Sequence, residues 1–179
     1  MADNGSAQEN ETIKGIRVDS VTEWLEAHID GLKPPFKFEL IVGGHSNLTY
    51  RVDDATGRSC VLRRPPTGMV LATAHDMARE HRIVSAVGKS NVPVPSALGL
   101  CEDVEVNDAP FYVMDYVVGT VLNDAPITEA LLGPKERRAL SEHTVEVLAE
   151  LHAIETADIG LGDLAKREDY IGRQLKRWQ

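Results

Sequence analysis

A run of small and polar residues, Gly43-Gly44-His45-Ser46-Asn47, separates two apolar stretches of the sequence. The flanking segments Phe38–Val42 and Leu48–Val52 favour extended structure, so the run is predicted to form the tip of a β-hairpin. Its small side chains leave backbone N–H groups uncovered, and a cradle of such groups can bind a phosphate. Most glycine tips are only turns, because glycine reaches positive φ angles at little steric cost. Taken alone, the tip leaves a turn and a phosphate site as alternatives.

Glu80 is a second candidate for chemistry, because it lies on the apolar side of a predicted helix. Helical spacing places it on one stripe with Met77 and Val87, in a helix predicted from about residue 74 to Val87. No basic residue stands three or four positions away, and a buried carboxylate without a partner is costly. Arg63 and Arg64 are candidate partners, and strand alternation sends them to opposite faces. Only one of them can face Glu80; a solvated Glu80 at the edge of the stripe is the alternative.

The surrounding elements predict how these residues are held. A helix capped by Asp19 or Ser20 leads into the hairpin, and a third strand ends at the two arginines. After the helix that carries Glu80, the stretches Ala97–Cys101 and Phe111–Val118 favour two further strands, joined by an acidic turn. The sequence therefore predicts an α+β fold, with a five-stranded antiparallel sheet and one inserted helix.

The C-terminal third is predicted to be helical. Pro134 stands at a first-turn position of a helix that reaches His152, and residues 167–179 predict an amphipathic helix that includes Trp178. Nothing follows to cover its apolar face, so we expect either a chain that is cut short or a partner, such as a second copy in a homodimer. The predicted organisation is a disordered tail over 1–17, a lobe over 18–118, and a linker with incomplete helices over 119–179.

Composition excludes several classes of function. The 179 residues carry a formal net charge of -9, which argues against nucleic-acid binding. Two cysteines, Cys60 and Cys101, are too few for a disulfide framework or a zinc site, and we expect both to be reduced. No apolar run approaches the roughly 18 to 20 residues that span a bilayer, and the N-terminus has no signal-peptide pattern. These features predict a cytoplasmic protein that is not bound to a membrane.

The order of these motifs resembles the small lobe of the protein-kinase-like fold. More narrowly, it is similar to the aminoglycoside phosphotransferase and choline-kinase-like family, in the branch found beside or fused to acyl-CoA dehydrogenases. The similarity covers roughly residue 36 to the end. It is carried by Gly43–Tyr50, Cys60–Pro65, Arg79-Glu80, Phe111–Gly119, Leu151–Ala153 and Tyr170–Trp178.

The resemblance implies a site for ATP or GTP with Mg²⁺. The tip would cover the β- and γ-phosphates with backbone N–H groups, and Arg63 would contact the α- and β-phosphates while Glu80 orients it. The family more often has lysine at the position of Arg63; arginine keeps the charge and can bind carboxylate and phosphate together. Arg64 takes this role if the alignment shifts by one residue. The implied nucleotide-binding residues are Gly43, Gly44, His45, Ser46, Asn47, Arg63, Glu80, Met114, Asp115, Tyr116 and Val117.

The resemblance also implies catalytic residues that this sequence does not contain. Phosphoryl transfer in the fold uses an aspartate base, an asparagine about five residues later and a further metal-binding aspartate. No asparagine follows Asn123, and no His-x-Asp follows the linker. We therefore expect this chain to be the nucleotide-binding half of a phosphotransferase, inactive by itself, whose acceptor is a hydroxyl of a small molecule and whose metal ligands lie outside this chain. The alternatives are a non-catalytic binding module and an unrelated α+β domain.

Overall fold

A computed structural model describes residues 13–42, 46–68, 75–164 and 169–178. The described part of the chain contains five strands in one antiparallel sheet, ordered β1-β2-β3-β5-β4. The predicted α+β fold, with one helix inserted between the third and fourth strands, is confirmed. The elements are α1 (Val18–His28), β1 (Lys37–Leu40), β2 (Leu48–Asp53), β3 (Ser59–Arg64), α2 (Met77–Val87), β4 (Ala97–Cys101), α3 (Val104–Asn107), β5 (Phe111–Asp115), α4 (Ala125–Leu131), α5 (Pro134–Ala153) and α6 (Tyr170–Arg177).

The chain divides into two compact units. The first comprises the described residues up to His81 together with Ala97–Tyr116, and so contains the whole sheet. The second comprises Arg82–Ser96 and the described residues from Val117 onward. The first unit leaves out Arg82–Ser96, which the lobe predicted over 18–118 includes.

The core of the first unit lies between α1 and one face of the sheet. Val21 and Leu25 of α1 are fully buried, and they belong to one cluster with Tyr50, Leu62 and other apolar side chains of the strands. Period-2 alternation places those strand residues on a common face, so removing them from water stabilises both the sheet and the position of α1.

A glycine allows the close approach of α1 to β4. A Cβ atom built at Gly99 would lie 2.7 Å from Ile29 Cδ1 and 3.1 Å from the ring of Trp24. The Trp24 ring also meets Phe111 edge to face, with the ring centroids 4.9 Å apart. The absence of a side chain at position 99 thus lets the tryptophan pack against the sheet.

The disordered tail predicted over 1–17 is too long. Residues 1–12 lie outside the described residues, but Ile16 is buried and Ile13 packs on the same core. The predicted caps of α1 are also wrong, since the helix begins at Val18 with Arg17 as its N-cap. Ser20 instead donates a 2.6 Å hydrogen bond to the carbonyl oxygen of Val106. The hydroxyl of Ser20 therefore makes a tertiary contact and does not cap α1.

A short helix replaces the acidic turn predicted before the last strand. Asp103 caps it by accepting a hydrogen bond from the N–H of Glu105, and Asp108 ends it with a φ of 54°. The last strand then ends at Asp115, three residues before the predicted end. Val117 and Val118 have exposed side chains, so the apolar run reaches beyond the sheet.

The regular structure of the second unit is helical in the residues that the structure describes. Pro134 is the first residue of α5, where its missing N–H costs nothing, and the helix runs to Ala153. None of the twenty residues of α5 is buried, and apolar side chains such as Leu148 and Leu151 face solvent. Arg82 and Asp163 form an ion pair of 2.5 Å in this unit. In the described ranges, no helix is long and apolar enough to cross a membrane.

Candidate functional site

The face of the sheet opposite α1 carries the candidate site. The register of β2, β3 and β5 pairs Thr49 with Arg63, Arg63 with Tyr112, and Val61 with Met114, so these side chains share one face. This face, which we call the open face, is defined by Thr49, Arg51, Val61, Arg63, Tyr112 and Met114. It mixes two arginines with apolar side chains, whereas the α1 face carries the hydrophobic core cluster of the first unit. Such a surface suits a ligand that has both an anionic and a flat apolar part.

Arg63 and Glu80 form the central ion pair of the open face. Arg63 Nε donates to Glu80 Oε2 at 2.8 Å, and both side chains are 32% exposed. The prediction that Glu80 has a partner from elsewhere in the fold, and that Arg63 is that partner, is confirmed. Nη1 of Arg63 also donates to Thr49 Oγ1 at 3.3 Å. The guanidinium is therefore held from two sides while part of it remains accessible to solvent.

Arg64 points to the other face and is used for structure. Its Nη1 donates to the carbonyl oxygens of Gly15 and, at 3.1 Å, of Asn107, and its Nε donates to the carbonyl oxygen of Pro65 at 3.0 Å. Only 4% of the residue is exposed, and this burial lowers the pKa of Arg64. Of the two arginines that the sequence left as alternatives, only Arg63 lies on the face of Glu80.

Glu80 has two further partners that the sequence did not predict. Asn47 Nδ2 donates to Glu80 Oε1 at 2.9 Å, and the hydroxyl of Tyr112 donates to Oε2 at 3.3 Å. Tyr112 could have been found, because alternation along β5 places it on the same face as Met114. The contact of Asn47 depends on the path of the hairpin tip, for which the sequence offers no periodic signal.

The residues around Glu80 have perturbed acidity. Burial raises the pKa of Tyr112 to about 12, and the neighbouring carboxylate of Glu80 acts in the same direction. The ring of His81 meets the ring of Tyr112 edge to face, with the centroids 6.1 Å apart. Burial lowers the pKa of His81, so this imidazole tends toward its neutral form.

The glycine tip is described only at its end. The predicted phosphate-binding residues Gly43, Gly44 and His45 lie outside the described residues. Ser46 is exposed, whereas Asn47 is 8% exposed because its side chain turns toward Glu80. The backbone N–H groups that the resemblance assigns to phosphate binding therefore remain a prediction.

The predicted hinge residues divide between the two faces of the sheet. Met114 lies beside Val61 on the open face, while Asp115 pairs with Cys60 on the α1 face, 3.9 Å from Nη2 of Arg58. The Asp115 carboxylate thus points away from the open face, and a role of its backbone in binding a base remains a prediction. Tyr116 follows the strand, with the guanidinium carbon of Arg51 4.9 Å from its ring centroid. Val117, which begins the second unit, is 67% exposed.

Three other groups of residues bear on metal, redox and catalytic chemistry. In the part of the chain that the structure describes, no three His, Cys, Asp or Glu side chains are grouped so that they could hold a metal ion. Cys60 and Cys101 are free thiols, both buried. A His-x-Asp order does occur before the sheet, at His28-Ile29-Asp30. It closes α1, where the His28 ring stacks on Trp24 with the centroids 4.7 Å apart, and it is not a catalytic loop.

The sheet order, the helix inserted after β3 and the Arg63–Glu80 pair define a protein-kinase-like small lobe. Residues 37–179 match the phosphotransferase enzyme family. The chain belongs to this family, as the resemblance predicted.

Solved and curated relatives agree with this family. A crystal structure of a candidate aminoglycoside phosphotransferase from Ralstonia eutropha superposes with a TM-score of 0.71 at 32% identity, covering 89% of this chain and 45% of that one. Acyl-CoA dehydrogenase family member 10 of Mus musculus is 38% identical over 159 residues, which are 86% of this chain and 15% of the relative. Acyl-CoA dehydrogenase family member 11 of Homo sapiens is 31% identical over 163 residues, which are 89% of this chain and 20% of the relative. The chain thus spans a fifth or less of these two relatives, and the predicted link to the dehydrogenase-associated branch is confirmed.

Proposed function

We propose that the first unit binds ATP or GTP, with Mg²⁺, on its open face. The observation that supports this most directly is the Arg63–Glu80 pair, because it aims a fixed and partly accessible guanidinium along the face. A charge held in place by a carboxylate loses little freedom when an anion binds, so it suits the α- and β-phosphates. Phosphoryl transfer depends mainly on such positioning and charge neutralisation.

The base of the nucleotide would lie toward the apolar end of the same face. Val61 is 6% exposed and pairs with Met114, so the two side chains would form the apolar back of the base site. Backbone groups of Asp115 and Tyr116 would donate to and accept from the base, since β5 ends at Asp115 and pairs there with β3 alone. Adenine and guanine differ in the donor and acceptor pattern of this edge, so competition between ATP and GTP decides between them.

The phosphate acceptor in the proposed reaction is a hydroxyl group of a small molecule. The relatives are named acyl-CoA dehydrogenase family members, which favours a hydroxyacyl compound over an antibiotic. The 179-residue chain itself is proposed to be cytoplasmic and to be inactive. It offers no aspartate base followed by an asparagine that could hold metal, so it would bind the nucleotide without transferring phosphate.

The test is binding of Mg-ATP and Mg-GTP to the purified chain, by calorimetry and by thermal shift. A nucleotide that binds only the folded protein raises its melting temperature with concentration. Arg63→Ala should abolish most of this shift, and Arg63→Lys should retain part of it. Arg138→Ala is the matched control, because Arg138 lies on α5 with 81% of its side chain exposed. Absence of a shift in the wild type with both nucleotides would overturn the proposed function.

A non-catalytic module that self-associates through α6 is the second candidate. Four large apolar side chains of α6 and its C-cap are each more than 60% exposed, and helical spacing places them close together. They are Tyr170, Ile171, Leu175 and Trp178. Sedimentation velocity distinguishes the two candidates. A concentration-dependent dimer that Leu175→Glu dissociates supports self-association, and a monomer at all concentrations contradicts it.

A further inference from the structure

A chain of side-chain hydrogen bonds joins the start of α2 to Arg63. His75 Nδ1 lies 2.5 Å from Asn47 Oδ1, Asn47 Nδ2 lies 2.9 Å from Glu80 Oε1, and Glu80 Oε2 lies 2.8 Å from Arg63 Nε. All four residues belong to the first unit. Asn47 is the second member of the chain, between His75 and Glu80, and it is also the residue before β2.

The chemistry of the groups fixes the direction of each bond. An ionised carboxylate only accepts hydrogen bonds, so Asn47 must present its amide nitrogen to Glu80. Its carbonyl oxygen then faces His75, whose Nδ1 must carry a proton in order to donate. The imidazolium and one of the two neutral tautomers meet this condition. Glu80 is thereby held at both oxygens, by Asn47 at Oε1 and by Arg63 and Tyr112 at Oε2.

We infer that Asn47 and His75 are positioning residues that set the orientation of Arg63 through Glu80. The carboxylate can rotate about its own axis if only Oε2 is held, and the amide of Asn47 removes that freedom. His75 does the same for Asn47, whose amide would otherwise be free to flip. Because Asn47 directly precedes β2, the same bonds link the start of β2 to the placement of the guanidinium.

The first test needs no nucleotide and reads the Nε–H group of Arg63 by ¹⁵N NMR. The Arg63 signal is identified by its loss in Arg63→Lys. The wild type should show a slowly exchanging Nε–H, because this proton is held by Glu80. In Asn47→Leu the Nε–H proton of Arg63 should exchange rapidly with solvent, so its signal should disappear. In His75→Leu the signal should shift, or its exchange with solvent should become faster. His75→Asn should restore the wild-type signal, since the Asn amide places an N–H close to the position of Nδ1.

Matched controls separate this effect from a general loss of structure. Asn123→Leu and His152→Leu make the same substitutions at exposed positions of the second unit and should leave the Arg63 signal unchanged. His75 is only half-buried, so its variants are expected to fold even if Asn47→Leu does not. An Arg63 signal that is unchanged in both Asn47→Leu and His75→Leu would overturn the inference. If only Asn47→Leu changes the signal, His75 is not a positioning residue and the role belongs to Asn47 alone.

The consequence for ligand binding rests on the proposed function. Asn47→Leu should weaken Mg-ATP or Mg-GTP binding by about tenfold, the usual effect of losing one hydrogen bond to a charged group. His75→Leu should weaken it less, and His75→Asn should restore it. A wild type that binds neither nucleotide but shows the expected NMR changes would contradict the proposed function and leave the positioning role in place. Nucleotide affinity unchanged in Asn47→Leu would contradict the role of Asn47 in holding the guanidinium ready for the ligand.

Discussion

Arg63 and Arg64 are neighbours in β3, yet their guanidinium groups lie on opposite faces of the sheet. Arg63 meets a carboxylate on the open face, and Arg64 meets backbone carbonyl oxygens on the α1 face. The alternation of side chains along a strand explains the separation. The two arginines thus have different physical roles. Arg63 is exposed enough to meet a ligand, whereas Arg64 donates hydrogen bonds to buried backbone carbonyl oxygens.

Arg64→Ala should lower the free energy of unfolding by about 2 to 4 kcal/mol, because it leaves buried carbonyl oxygens without donors. These are the carbonyl oxygens of Gly15, Pro65 and Asn107. Urea unfolding followed by circular dichroism measures the change. Arg63→Ala is the control within the same strand and should cost less than about 1 kcal/mol, since its ion pair is a third exposed. Equal losses for the two variants would contradict this division of roles.

Glu80→Gln should lower the pKa of Tyr112. Burial first, and then the charge of Glu80, raise this pKa to about 12 from 10.0, and the amide side chain removes the charge. The folded pKa lies above the unfolded one, so the contribution to stability is complete below about pH 10 and is lost as the pH rises through 12. Tyrosinate absorbance measures the titration, and Tyr112→Phe identifies the transition by removing it. A transition at the same pH in Glu80→Gln would show that burial alone sets the pKa.

The sheet could be predicted from local patterns, because each strand is a short run of apolar and β-favouring residues that glycine, proline or acidic turn residues separate from the next. The Arg63–Glu80 pair could also be predicted, since an inward carboxylate without a partner on its own helix requires a cation from another element. The roles of Asn47 and Ser20 could not be predicted. Both side chains form hydrogen bonds with residues more than thirty positions away, and such contacts depend on the assembled fold.

Asp54→Asn should make the free energy of unfolding depend less on pH under acidic conditions. Burial raises the pKa of Asp54, but hydrogen bonds from Thr56, Arg58 and Lys33 outweigh burial and hold the pKa below 3.8. The contribution to stability is therefore present above pH 3.8 and is lost as the pH falls through the folded pKa. Urea midpoints between about pH 5 and pH 2 should fall less steeply in the variant than in the wild type. Asp158→Asn, at an exposed position, controls for the loss of one charge, and parallel curves for the wild type and Asp54→Asn would refute the prediction.

Gly99→Ala tests the packing of α1 on β4. The added methyl group would lie 2.7 Å from Ile29 Cδ1, which belongs to the buried core cluster, and 3.1 Å from the ring of Trp24, which packs against that cluster. Ile29 can turn its terminal methyl, but the rigid indole must move as a whole, so we expect a loss of about 1 to 3 kcal/mol. Gly119→Ala is the matched control, because a Cβ atom there meets nothing within 4 Å. Urea unfolding measures both variants, with Trp24 fluorescence reporting the displaced ring. If Gly99→Ala is as stable as Gly119→Ala, the contact between α1 and β4 is looser than the distances indicate, and Gly99 is not what allows the close approach of α1 to the sheet.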